Sequence, residues 1–155
     1  MNMSNDHHDI PDLFGLDRFL EAQQSVYRNV VMELSAGEKR THWMWFIFPQ
    51  LHGLGSSLTS RYYAIKSLQE ARAYLEHPIL GPRLFECTAL VQAHAERTPR
   101  EIFGFPDDMK FLSSMTLFEL ADNRRTEFAQ AIDTFYQSRR DVRTLELALK
   151  TSRPL

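Results

Sequence analysis

The sequence predicts an all-α protein, folded as one multihelical domain rather than a simple bundle. Three observations predict it. Apolar residues recur at helical spacing along most of the chain. Ser, Thr, Asp, Gly and Pro interrupt those runs at the positions where helices start and stop. No segment alternates apolar and polar residues over strand length, and no Asn-Gly or Asp-Gly hairpin turn occurs. Many of the segments are short and broken by proline, which excludes the long helices of an up-and-down bundle.

Residues 1–10 are polar, carry His7-His8 and have little to bury, so they read as a disordered leader. They hold neither the basic region nor the apolar stretch of a secretory signal. Pro11-Asp12 offers a helix start. From Leu16, the residues Phe19, Leu20, Val26, Tyr27, Val30, Val31 and Leu34 predict one helix, and Gly37 supplies its C-terminal cap. The uninterrupted apolar run from Trp43 to Ile47 fits a short helix capped by Thr41 and ended by Pro49. Gly53, Gly55, Ser56 and Ser57 make a loop around His52, and Arg61 to Ile65 reads as a short helix or turn. Ser67 and Glu70 form a capping-box pair that opens a helix stopped by Pro78.

A longer helix follows from about Leu80 to His94, with Leu84, Cys87, Leu90 and Val91 on one face. Thr98 and Pro99 begin a short one, cap and first helical position respectively. After Gly104 and Pro106, the charges of Asp107-Asp108 suit the N-terminus of a helix carrying Met109, Leu112, Met115, Leu117, Phe118 and Leu120. Two more helices are predicted, Glu127 to Tyr136 and Val142 to Lys150, the latter capped by Asp141. The domain therefore spans residues 11–150, and residues 151–155 fray.

A hydrophobic share of 43% and a charged share of 25% belong to an ordinary globular protein. A net charge of -2 gives no global attraction to nucleic acid or anionic membrane, although Lys39-Arg40, Arg124-Arg125 and Arg139-Arg140 form local basic pairs. The longest apolar run, Trp43 to Phe48, is too short to span a bilayer. The lone Cys87 excludes an intramolecular disulfide and suits a reducing compartment, so the expected location is the cytoplasm. There is no Gly-rich phosphate loop, no His-Glu-x-x-His, no Cys-x-x-Cys and no Gly-x-Ser-x-Gly elbow. His42, His52, His77 and His94 lack ligand spacing. Neither a metal nor a cofactor is expected.

Chemistry concentrates around the stretch from Lys39 to Leu51, which holds both tryptophans. His42 can act as a general base or hold a phosphate, or it can be a hydrogen-bonded residue at the edge of an aromatic core. Trp43 and Trp45 can stack on a ring or pack in the core, and at least one of them must do the latter. Arg61 beside Tyr62 and Tyr63 suits an anionic or aromatic ligand, or a cation lying over packed phenols. Asp107 and Asp108 are explained by capping. Lys110 is not, because its charge opposes the dipole of a helix N-terminus; it points to function or to an ion pair with one of the aspartates.

The run Thr41-His42-Trp43-Met44-Trp45-Phe46-Ile47-Phe48-Pro49-Gln50-Leu51 resembles the signature of a bacterial family, domain of unknown function 1810. Arg61 to Ile65, Leu75 to Arg83 and Phe103 to Phe118 extend the resemblance, which covers roughly Leu13 to Leu149. It implies a multihelical fold and no established activity. Members are sometimes labelled calpastatin, but inhibitors of that kind are disordered, whereas this chain has a core. Tyr62-Tyr63 followed by Lys66, Leu68 and Ala71 is also similar to the NADAR family of helical N-glycosidases, which act on ADP-ribose derivatives. That family has a catalytic glutamate shortly before its Tyr-Tyr pair; here those positions hold Thr59, Ser60 and Arg61.

Three functional readings follow. In the first, a binding module holds a small anionic or nucleotide-like ligand among His42, Trp43, Arg61, Tyr62 and Lys110, with rings stacking and cations meeting the charge. In the second, an enzyme uses the same site on a nucleotide or ADP-ribose derivative, with Asp107 or Asp108 as base and His42 or Lys110 as its partner. In the third, the aromatic stretch meets a partner helix or its own copy, so the protein is a monomer or a homodimer.

Overall fold

A computed structural model describes residues 11–152. The expected leader lies outside the described residues, as do residues 153–155 of the expected frayed tail. Ten helices follow one another: α1 (Asp17–Gln24), α2 (Tyr27–Ser35), α3 (Met44–Ile47), α4 (Leu58–Tyr62) and α5 (Leu68–Glu76), then α6 (Leu80–Gln92), α7 (Pro99–Phe103), α8 (Asp107–Ala121), α9 (Glu127–Tyr136) and α10 (Val142–Ser152). Among the described residues, extended pairing is limited to one parallel bridge between Leu51 and Ile65. The all-α, single-domain expectation is met.

Helix α8 is the axis of the molecule. Every residue from Phe111 to Phe118 is buried, and α5, α7, α9 and α10 pack around it. A helix apolar on all sides belongs inside, and two of the small polar residues of α8 bond back to its own carbonyls. The hydroxyl of Thr116 donates to the Leu112 carbonyl at 2.8 Å, and that of Ser113 to the Met109 carbonyl at 3.2 Å. Rings link the surrounding layers to this axis. Phe111 meets Phe48 edge-on at 4.9 Å and stacks on Phe103 at 4.8 Å, while Phe118 meets Tyr74 and Phe128 at 5.4 and 5.8 Å.

Several caps read from the sequence are in place. Thr98 and Glu101 form a reciprocal capping box. The Ser67 hydroxyl accepts from the Glu70 N–H at 3.1 Å, but the Glu70 carboxylate turns instead to Arg18 and the Lys66 N–H. Asp12 caps α1 at a distance, its carboxylate accepting from the N–H groups of Leu16 and Asp17. At the end of α2, Gly37 takes a positive φ of 74° and donates to the Leu34 carbonyl, while Glu38 donates to the Glu33 carbonyl. These two bonds complete a Schellman motif.

Two expectations are corrected. The single first helix is two, α1 and α2, separated at Ser25 and Val26, where the Val26 N–H turns back to the Gln23 carbonyl. Gln23 is buried at this joint, donating to the Phe46 carbonyl and the Tyr74 hydroxyl. Thr41 does not cap α3; its hydroxyl and its N–H both bond the Glu33 carboxylate. Across the α2–α6 contact, the thiol of Cys87 lies 3.7 Å from the Tyr27 hydroxyl and is fully buried. Burial pushes that thiol up to about 12.

Candidate functional site

The stretch from Lys39 to Trp43 is irregular backbone, and one carboxylate shapes it. Glu33, near the end of α2, accepts from the N–H groups of Arg40 (2.6 Å) and Thr41 (3.0 Å), the Thr41 hydroxyl (2.6 Å) and the indole N–H of Trp43 (3.0 Å). The Asn29 amide adds a further donor at 2.8 Å. Burial opposes the charge on Glu33, but these donors outweigh it and hold the carboxyl below its ordinary value. The clamp turns Trp43 inward, where it is 1% exposed, and so sends Trp45 outward.

Trp45 forms part of a cleft of about 230 Å³. One wall is Trp45 with Gln50, Leu51 and the loop from Gly53 to Gly55; a second is Ser60, Tyr63 and Ala64 from the end of α4. Pro106, Met109, Lys110 and Ser113 bring in the start of α8, and Asp141 and Arg143 the start of α10. Gly53 makes this junction possible. It has a φ of 104°, and a Cβ there would come within 3.2 Å of Leu147 on α10.

The α4 wall is held from behind by Arg18, whose guanidinium donates to the carbonyls of Tyr62 (2.9 Å) and Ala64 (2.9 Å) and pairs with buried Glu70 at 2.6 Å. Burial, with Tyr62 nearby, pushes the Tyr63 phenol up, so it remains a neutral hydroxyl across the physiological range. On the α10 side, Oδ2 of Asp141 accepts from the Ser113 hydroxyl (3.0 Å) and from the N–H and hydroxyl of Thr144. Asp141 also donates its own N–H to Thr116 at 3.0 Å.

Two lysines lie over the two tryptophans. Lys39 Nζ is 5.0 Å from the ring of Trp43, and Lys110 Nζ is 5.2 Å from the ring of Trp45. Asp107 joins them, one oxygen 2.9 Å from Lys39 and the other 3.4 Å from Lys110. The Lys39 side chain is only 6% exposed, so this contact must be kept; that of Lys110 is 29% exposed and reaches the cleft. An incoming anion can therefore draw Lys110 away without leaving Asp107 unpaired.

Of the five residues expected to line a ligand pocket, Lys110 lines this cleft and the other four do not. Trp43 is core. His42 is exposed on the loop beside it. Arg61 and Tyr62 lie exposed on α4, and Tyr62, 58% accessible, packs its ring edge-on against Tyr63 at 4.8 Å. In each aromatic pair the neighbour of the expected residue faces the cleft: Trp45 rather than Trp43, Tyr63 rather than Tyr62. The proposed bases are placed otherwise too. Asp107 is occupied by two lysines, and Asp108 Oδ1 accepts from the Met109 N–H. The carboxylate that lines the cleft is Asp141, which sequence reasoning treated only as a cap. Trp43, Met44, Ile47, Phe48 and Leu51 are all buried, which removes most of the aromatic stretch as a partner surface.

Fold and cleft together define a multihelical domain with an aromatic, cation-bordered cavity where α3, α4, α8 and α10 meet. Residues 13–148 match the family described as protein of unknown function (DUF1810), and the chain belongs to that family. The chain is similar to a conserved hypothetical protein from Mycobacterium tuberculosis with a solved crystal structure. The two are 54% identical, with a TM-score of 0.88 over 89% of this chain and 99% of the other. No curated protein matches the chain. Among the described residues, no helix is long and apolar enough to cross a membrane, and no three His, Cys, Asp or Glu side chains are grouped to hold a metal ion.

Proposed function

We propose that this protein is a small-molecule-binding domain whose cleft takes a small anionic ligand carrying a ring, of the size and character of a nucleotide fragment. The observation that carries the reading is Lys110, its ammonium held over the Trp45 ring at the cleft and only loosely tethered to Asp107. A cation beside an aromatic ring in a cleft can meet a charged group and a ring of one ligand at once. The hydroxyls of Tyr63, Ser60 and Ser113 and the amide of Gln50 give the cavity the few polar groups that fix orientation in an otherwise apolar site.

The test is a thermal-shift series with phosphate, nucleotides and aromatic acids. A ligand that binds the native state raises the melting temperature by mass action. At least one of these anions is expected to do so, and Lys110→Met is expected to abolish the shift while leaving the helical circular dichroism unchanged. If no anion at millimolar concentration moves the wild-type transition, the reading is wrong.

A further inference from the structure

We infer that the occupant of this cleft is a planar single-ring monoanion, an aromatic carboxylate in chemical class, rather than a whole nucleotide or free phosphate. The inference rests on the reading of the cleft as a ligand site and narrows it by volume, wall and charge. The cleft has a volume of about 230 Å³. It falls short of the ~300–1,000 Å³ that buries a drug-sized ligand. One six-membered ring with a carboxylate fits within such a space. Base, sugar and phosphate together exceed it, so part of a nucleotide would stand in solvent.

The walls favour a flat ring over a sugar. Trp45 and Tyr63 present aromatic surface, and Leu51, Pro106 and Met109 add apolar surface. A sugar would bring several hydroxyls against these carbons, where fewer of its water bonds are replaced than at the polar groups of the cleft. The charge favours one negative group. The formally charged residues lining the cleft are Lys110, Arg143 and Asp141, a net of +1. The negative charge of Asp141 is fixed in place, because Ser113 and Thr144 hold its carboxylate as the cap of α10. A monoanion on Lys110 balances the net +1 of the lining residues, whereas a dianion leaves the site with a net -1. Arg143 contributes less, since its side chain is 57% exposed and turned toward Glu146 at 3.9 Å.

Calorimetric titration of the wild-type chain with benzoate, benzamide, adenosine monophosphate and inorganic phosphate tests this directly. Benzoate is expected to bind, with benzamide, its neutral isostere, weaker by about tenfold or more for want of the charge-assisted bond to Lys110. The nucleotide is expected to bind no more tightly than benzoate, and phosphate about tenfold more weakly or not at all. If adenosine monophosphate or phosphate binds about tenfold more tightly than benzoate, the inference falls while the cleft stands as a ligand site. Equal affinity for benzamide and benzoate overturns the requirement for charge. If none of the four binds, the site reading and the inference fall together.

Discussion

Glu33 decides which tryptophan is buried and which lines the cleft. Its carboxylate draws the Trp43 indole, the Thr41 hydroxyl and two backbone N–H groups to one point. Because its folded pKa is depressed, the stability it contributes is fully present above the ordinary 4.5 of a free carboxyl and is lost as pH falls through the folded value. Glu33→Gln should therefore lower stability at neutral pH and reduce the loss on acidification, read as the midpoint of urea unfolding at a series of pH values. If wild type and variant lose stability in parallel below pH 4.5, Glu33 is not the group that titrates. The two tryptophans should also separate. Trp43→Ala is expected to cost about 3–5 kcal/mol, the range for emptying a large core site. Trp45→Ala should cost about 1 kcal/mol at most, as for a side chain outside the core, and abolish anion binding. The sequence required at least one tryptophan of this stretch in the core, but did not say which. The orientation of a four-residue helix depends on where its backbone begins, and that point is set by Glu33, outside the stretch.

At the scale of elements, α10 shows how one residue serves fold and cleft together. Asp141 caps the helix through the Thr144 N–H, is bound to α8 through Ser113 and Thr116, and forms part of the cleft. Arg140 beside it pairs with Glu119 of α8 at 2.7 Å and fixes the approach of the loop. Asp141→Ala should cost about 1–2 kcal/mol through loss of the cap. A cost below about 0.5 kcal/mol in denaturant unfolding would place it among ordinary surface positions. Helix ends of this kind were legible because a cap is a local code, and the same holds for Thr98 and Ser67; the α8 aspartates, read as caps, make no cap bond, and Asp107 pairs with two lysines instead. The joint between α1 and α2 was not legible. The apolar spacing runs on through Val26, and the turn depends on Gln23 meeting Phe46 and Tyr74 from distant parts of the chain. For the same reason the meeting of residues 45, 63, 110 and 141 could not be read in advance. Each carries a plausible local role, and only packing around α8 brings them together.

The whole molecule is organised so that few parts can unfold alone. Rings in contact run from Trp43 through Phe48 to Phe111 near the start of α8, and from Phe19 through Tyr74 and Phe118 to Phe128 two turns further along it. A core continuous across α8 predicts one cooperative transition, in which loss of far-UV circular dichroism and exposure of the tryptophans coincide. Non-coincident transitions would show two units. The buried thiol between α2 and α6 then acquires a practical meaning: the protein carries its own stopwatch. Cys87 has no access to solvent, and its high pKa leaves almost no thiolate to react. A maleimide can modify it only in molecules that have opened. If opening is global, the labelling rate falls below that of the unfolded chain by the equilibrium fraction unfolded, and each ~1.4 kcal/mol removed by a core substitution such as Trp43→Ala speeds it about tenfold. Rapid labelling with the helical signal intact would instead mark the seam between α2 and α6 as a place where the fold opens by itself.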